Sequence, residues 1–148
     1  VVYAPATGRL FYTDENGQTV EELGAHRVRQ IGETNVLSVS AADNSALTVV
    51  ASKSHRDQAT DDYISRYQIK DMTAAGSSLK FCLVASGEAD FYPRVGRTVE
   101  WDTAAGHALV LGDGGQVLDF GTQVPWLYGK NGVENPCFVV MSPKVKLR

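Results

Sequence analysis

Asp102 follows Trp101 directly and opens TAAGHALVLGDGG, a small-residue run with helical character that stops in glycines. A carboxylate at a helix start has two uses. It can cap the helix or favour the positive end of its dipole, worth about 0.5–2 kcal/mol. It can also point outward to a divalent cation, since Mg²⁺ takes hard oxygen ligands and usually shares them with phosphate. Ala104, Ala105 and Gly106 let the first turns of this helix approach another element closely and leave room for a ligand near its N-terminal amides. From the residue alone, both uses remain open.

The elements that must position such a site alternate between strand and helix. VVYAP and RLFYT, separated by ATG and followed by ENG, predict hairpin-like strands over residues 1 to about 20, at a sheet edge. Residues 21 to 46 are polar and weakly periodic, and predict a surface excursion with one short strand. LTVVASK reads as a buried strand, and SHRDQATDDYISRYQ as a helix capped by Ser54 or Asp57 with Ala59, Tyr63, Ile64 and Tyr67 on its apolar side. IKDMTA is a second strand, LKFCLVASGEAD a Ser-capped helix stopped by Gly87, and FYP a brief extended piece. Asp102 to Asp113 then reads as a helix ended by Gly114 and Gly115, with QVLDF and PCFVVM as closing strands. The expected class is α/β, one domain, with a mixed, mostly parallel sheet flanked by helices.

Composition narrows the function. The 148 residues are 43% hydrophobic, enough for a core, and a net charge of -3 argues against a nucleic-acid polymer as partner. A local cluster of Lys and Arg can still hold a small anion. Cys82 and Cys137 lie in apolar surroundings without metal-ligand spacing, and read as buried free thiols of a reducing compartment rather than a disulfide. With no apolar run approaching the roughly 20 residues of a membrane span, a cytoplasmic location is expected; membrane association is left open.

The stretch WDTAAGHALVLGDGGQVLD resembles the carboxy-terminal Trp-Asp-x-Ala-Ala-Gly signature of the inositol monophosphatase-like, Mg²⁺-dependent, lithium-sensitive phosphatases. LKFCLVASGEADFYPRVGRTVEWDTAAGHA is most similar to the 3′(2′),5′-bisphosphate nucleotidases of the CysQ type within that superfamily. VVYAPATGRLFY, VVASKSHRD and YGKNGVENPCFVV resemble, in order, the strand pair after the metal-binding segment, the Ser-x-Ser-His-x-Asp segment and the closing strand. The resemblance implies that Asp102 is a metal ligand, that His55 contacts the nucleotide, that Ser77 and Lys80 contact the substrate and its phosphate, and that Arg94 is a further substrate-side basic residue. Each has a structural alternative: His55 could bond a loop carbonyl, Ser77 could cap a helix, and Lys80 and Arg94 could be solvated charges. Strand ends and helix starts gather along one edge of an open α/β sheet, which favours function. Arg suits phosphate through paired N–H groups and Lys as a point charge; Lys53, Arg56 and Arg97 would add to the field.

The resemblance further implies an enzyme that removes the 3′-phosphate of adenosine 3′,5′-bisphosphate or phosphoadenylyl sulfate with two or three Mg²⁺ ions. Most metal ligands would lie in an Asp-Pro-x-x-Asp-Gly-Thr motif and an earlier Glu-rich segment, neither present here. Glu21 and Glu22 fall after the strand pair and read as solvated loop charge. Residues 1–148 are therefore expected to be the carboxy-terminal, substrate-side half of a layered sheet-helix sandwich, inactive alone. The amino-terminal half would be the partner, and exposed apolar surface would favour a homodimer in its absence. Alternatives are an inositol monophosphatase-like or fructose-bisphosphatase-like sugar phosphatase, and a non-catalytic nucleotide- or anion-binding domain.

Overall fold

A computed structural model describes residues 1–24, 32–52 and 57–148. The first sheet is an antiparallel meander of β1 (Val2–Ala4), β2 (Arg9–Thr13), β3 (Thr19–Leu23) and β4 (Thr34–Val36), paired in that order. The ENG turn works through Asp14, whose carboxylate accepts the Asn16 and Gln18 N–H groups at 2.9 Å each and so closes the hairpin into β3. The expected excursion over residues 21 to 46 thus holds the end of β3 and all of β4, two strand segments rather than one.

Glu21 and Glu22 are not loop charges. Both lie in β3 and are buried. Arg9, on the neighbouring strand, forms an ion pair with Glu21 and a second with Glu88, just past the helix that ends at Ala85, so the Glu21 carboxylate leaves water with a partner in place. These two carboxylates also hold the Arg9 guanidinium above its ordinary value. Glu22 accepts the Gly32 N–H at 2.8 Å. The sequence shows no alternation here because four consecutive residues, Thr19 to Glu22, are all covered.

The second sheet is built from β5 (Leu47–Ser52), β6 (Ile69–Ala75), β7 (Phe91–Arg94), β8 (Gln116–Asp119) and β9 (Phe138–Met141), in the order β6-β5-β7-β9-β8. β5 runs parallel to β6 and β7, whereas β9 is antiparallel to both β7 and β8. The fold is α/β with a mixed sheet, as expected, but antiparallel pairing is at least as prominent as parallel. The closing strands return through the 121–137 loop rather than through another helix.

Three helices connect and cover the strands: α1 (Gln58–Ile64), α2 (Leu79–Ala85) and α3 (Glu100–Gly112). Period-two alternation divides the sheet faces. Leu47, Val49 and Ala51 of β5 meet Tyr63 and Ile64 of α1, while Val50 meets Phe81 and Val84 of α2 and Val110 of α3. Phe11 of β2 packs on Cys82 of α2 and Leu109 of α3, so the meander lies on the outer side of this helix pair. The layers run antiparallel sheet, helix pair, mixed sheet, helix.

Helix ends follow local chemistry. Asp57 caps α1 by accepting the Thr60 N–H at 2.8 Å. Ser78 stands at the start of α2 but caps nothing; its hydroxyl donates to the Asp102 carbonyl at 3.1 Å, tying α2 to α3. At the far end of α3, Gly114 takes a positive φ of 77°. There Gly115 and Gly114 donate to the carbonyls of Val110 and Leu111, closing the helix in the manner a left-handed residue allows. Both cysteines are free, and burial pushes the Cys82 thiol up to about 12. Among the described residues no helix is long and apolar enough to cross a membrane.

Candidate functional site

The three parallel strands end together. Ser52 closes β5, Ser77 follows the end of β6 and Arg94 closes β7, and all three line one cavity of about 390 Å³. Ligands bind in open α/β sheets at this carboxyl edge, because helix starts and loop groups converge there. The start of α3 forms the opposite wall through Asp102 and Thr103, and Tyr92 and Phe138 supply an aromatic floor.

Lys80 is the unusual residue of this cavity. It is only 4% exposed, so it is no solvated surface charge. Its ammonium donates to the Ser77 carbonyl at 2.9 Å and the Ala75 carbonyl at 3.5 Å, and lies 5.1 Å from the centroid of the Tyr92 ring. Burial, followed by repulsion from Arg94, lowers it to about 8. Two carbonyls and a ring face ease the loss of water but do not neutralise a cation. An anion entering the cavity would.

Ser77 sets this geometry through its backbone. Its φ of 50° is left-handed, uncommon for a residue other than glycine, and it turns the Ser77 carbonyl onto the Lys80 ammonium one helical turn ahead. Ser77 therefore does not cap α2. Arg94 is half-buried, with its guanidinium donating to the carbonyls of Gly96 at 3.1 Å and Arg97 at 3.3 Å. These bonds fold the 95–98 turn around it.

Asp102 is the third residue of α3, which starts two residues earlier than expected, with Val99 at the cap. Its Oδ2 accepts the Val99 N–H at 2.9 Å. This is half of a capping box, since the valine side chain offers no acceptor in return. The side chain is exposed at the cavity, and Oδ1 has no hydrogen bond to the described residues. A hard, anionic oxygen in the same cavity as two cations is of the type that can serve as one ligand of a Mg²⁺ ion. Among the described residues no group of three or more His, Cys, Asp or Glu could hold a metal by itself. His55 lies outside the described residues. The cavity thus brings together Asp102, Ser77, Lys80 and Arg94.

Tyr92, Thr98 and Thr103 also line the cavity but carry no sequence signal of their own. Thr103 is fixed from the 121–137 loop: its Oγ1 accepts from the Tyr128 hydroxyl at 3.2 Å and from Asn135 Nδ2 at 3.0 Å. The Tyr128 hydroxyl also bonds His107 Nδ1 at 2.8 Å, and burial lowers the His107 imidazole below its ordinary value. Glu100 accepts from Lys130 Nζ at 2.9 Å and the Gly129 N–H at 3.0 Å, which also holds the carboxylate low. The loop is strapped to the first turns of α3 and supports the wall that carries Asp102.

Residues 1–141 match the inositol monophosphatase family. The chain belongs to that family. It is 40% identical over 120 residues to the 3′(2′),5′-bisphosphate nucleotidase CysQ of Salmonella typhimurium, covering 81% of this chain and 45% of that protein. The Escherichia coli protein of the same name is 39% identical over the same shares. Among solved structures, CysQ from Bacteroides thetaiotaomicron, a bacterial member of the inositol monophosphatase family, aligns with a TM-score of 0.82 at 32% identity, covering 96% of this chain and 56% of that one. An inositol monophosphatase from Anabaena shares the fold at a TM-score of 0.69 and 19% identity, over 95% and 52% of the two chains. This inositol monophosphatase family chain spans about half the length of the relatives it matches.

Proposed function

We propose that this chain supplies the nucleotide side and one metal-facing carboxylate of a Mg²⁺-dependent phosphatase. The reaction removes the 3′-phosphate of adenosine 3′,5′-bisphosphate to give AMP, or of phosphoadenylyl sulfate to give adenylyl sulfate. One observation carries the reading: a single cavity sets the Asp102 carboxylate against the buried Lys80 and the half-buried Arg94. A bisphosphate needs two different anion sites. Lys80 and Arg94 hold the phosphate that is kept, by charge and paired N–H groups. The phosphate to be cleaved then faces Asp102. Bound there, Mg²⁺ would neutralise phosphoryl oxygens and lower the pKa of an attacking water.

Asp102, Ser77, Lys80 and Arg94 do their part by position: they bind, orient and hold charge at fixed separation. The other ligands for two or three ions come, in this reading, from the amino-terminal half of the same protein. Exposed Leu23 and Val36 on the outer sheet support such a covering partner, or a second copy of the chain in its absence. The names of the relatives support the nucleotidase branch over sugar phosphatases.

The test is phosphate release by the intact enzyme from adenosine 3′,5′-bisphosphate and from inositol 1-phosphate, with and without Mg²⁺. Mg²⁺-dependent formation of AMP at the higher kcat/KM is expected. A higher kcat/KM on inositol phosphate would put the sugar-phosphatase reading in its place, and nucleotide binding without turnover would leave a binding domain. The 148-residue chain alone, with one metal-facing carboxylate, is expected to release none.

A further inference from the structure

Arg97 lines the same cavity but stands apart from its other cations. Its side chain is 73% exposed at the mouth, and its Nε and Nη2 both reach Oε1 of Glu134, at 2.6 Å and 2.5 Å. Glu134 comes from the 121–137 loop and is 61% exposed. Among the described residues the three cations of the cavity therefore form a gradient from the buried Lys80, through half-buried Arg94, to exposed Arg97. The turn that carries Arg97 is locked to this gradient, because its backbone carbonyl accepts from Arg94 at 3.3 Å.

We propose that Arg97 is a specificity-determining residue that reads the anionic group lying beyond the phosphate held by Lys80 and Arg94, with Glu134 as its competing partner. The inference rests on the function proposed above. With a monoester phosphate at Lys80 and Arg94, both cations are answered and Arg97 keeps Glu134. A phosphate in anhydride linkage with sulfate carries a further anionic group beyond it, and Arg97 is the exposed cation that lines the same cavity. An exposed ion pair contributes little, so exchanging Glu134 for the sulfate group of a substrate demands little. Arg suits this exchange because its guanidinium has donors left over after one carboxylate oxygen is engaged. Glu134 gives the site discrimination as well as affinity, since it must be displaced and only a second anion displaces it.

The experiment compares kcat/KM of the intact enzyme for phosphoadenylyl sulfate and for adenosine 3′,5′-bisphosphate in wild type, Arg97→Ala and Glu134→Gln. Arg97→Ala is expected to lower the ratio of the two about tenfold, through KM for the sulfate-bearing substrate, as loss of one charge-assisted contact would. Glu134→Gln is expected to raise the ratio about two- to threefold by freeing the guanidinium. The backbone contact to Arg94 survives both changes, and melting curves are expected to overlay wild type. An unmoved ratio in Arg97→Ala, or a lowered ratio in Glu134→Gln, overturns this inference and leaves the nucleotidase reading standing. A wild-type enzyme that turns over neither nucleotide overturns both.

Discussion

Lys80 is held in the cavity against the stability of the fold, and removing it separates binding from folding. Burial and Arg94 lower the ammonium from 10.5 to about 8. The native state therefore binds its proton more weakly than the unfolded chain, and the resulting stability is present above 10.5 and lost as pH falls through about 8. At neutral pH, keeping the charge inside costs the native state about 3 kcal/mol. Lys80→Met fills the same volume without the charge, and gives up the hydrogen bond to the Ser77 carbonyl at 2.9 Å, worth about 1 kcal/mol. The variant is expected to be about 1–2 kcal/mol more stable than wild type at about pH 7 in urea titrations, an advantage that shrinks by about 2 kcal/mol near pH 9.5. The same change should lower kcat/KM of the intact enzyme on the order of 100-fold or more, and abolish the rise in melting temperature that inorganic phosphate gives wild type. A variant less stable than wild type by the same margin at both pH values would refute the reasoning, because Lys80 would then be a structural cation rather than an anion receptor.

Three further outcomes are expected. A Cβ at Gly106 would lie 2.6 Å from the Phe81 Cβ and Cγ, so Gly106→Ala should lose about 1–3 kcal/mol in chemical denaturation as α3 is pushed off α2; an unchanged midpoint would sink the close-approach reading. Asp102→Asn keeps an acceptor for the Val99 N–H, so stability should move by no more than about 0.5 kcal/mol while phosphate release by the intact enzyme falls about 100-fold or more. Equal losses in folding and turnover would make the carboxylate a cap alone. Burial raises the half-buried Asp113 to about 6, and among the described residues its buried Oδ2 has no hydrogen-bond partner. Its share of stability is full below about 3.8 and is lost as pH rises through about 6, so Asp113→Asn should raise the melting temperature above pH 6 and match wild type below about pH 4; a gain independent of pH would argue against a buried carboxylate.

What the sequence made legible was local. The strand LTVVAS, the Asp57 cap and the glycine stop of α3 follow from residue types over a few positions, and the structure has all three. The buried state of Glu21 was not legible, because it depends on Arg9, twelve positions away, crossing to it from the next strand. The same holds for Thr103, whose partners Tyr128 and Asn135 arrive from a loop with almost no regular structure. Ser77 and Ser78 show the limit most plainly. Both types suit a helix cap, yet one adopts a left-handed backbone to hold Lys80 and the other bonds across to α3. Propensity names what a residue can do locally, and tertiary partners choose among those uses.

At Asp102 the observed cap and the proposed metal ligand need not be alternatives. A carboxylate has two oxygens, and the Val99 N–H takes only Oδ2. That bond orders the side chain before any cation arrives, so the entropy of ordering it is lost on folding rather than on binding. The Asp102 carbonyl meanwhile accepts the Ser78 hydroxyl, joining the start of α3 to the start of α2, one residue after the carbonyl that holds Lys80. The distance between the carboxylate and the buried cation is thus set by two hydrogen bonds of ordinary length and the close approach of Gly106 to Phe81, not by a flexible loop. In the proposed function, a cation at Lys80 and a metal ion held at Asp102 would match a substrate with two anionic groups at that separation. A ligand with one anionic group would engage the Lys80 end alone, since without a metal ion the Asp102 carboxylate repels it, and would gain nothing from the precision with which α2 and α3 are joined.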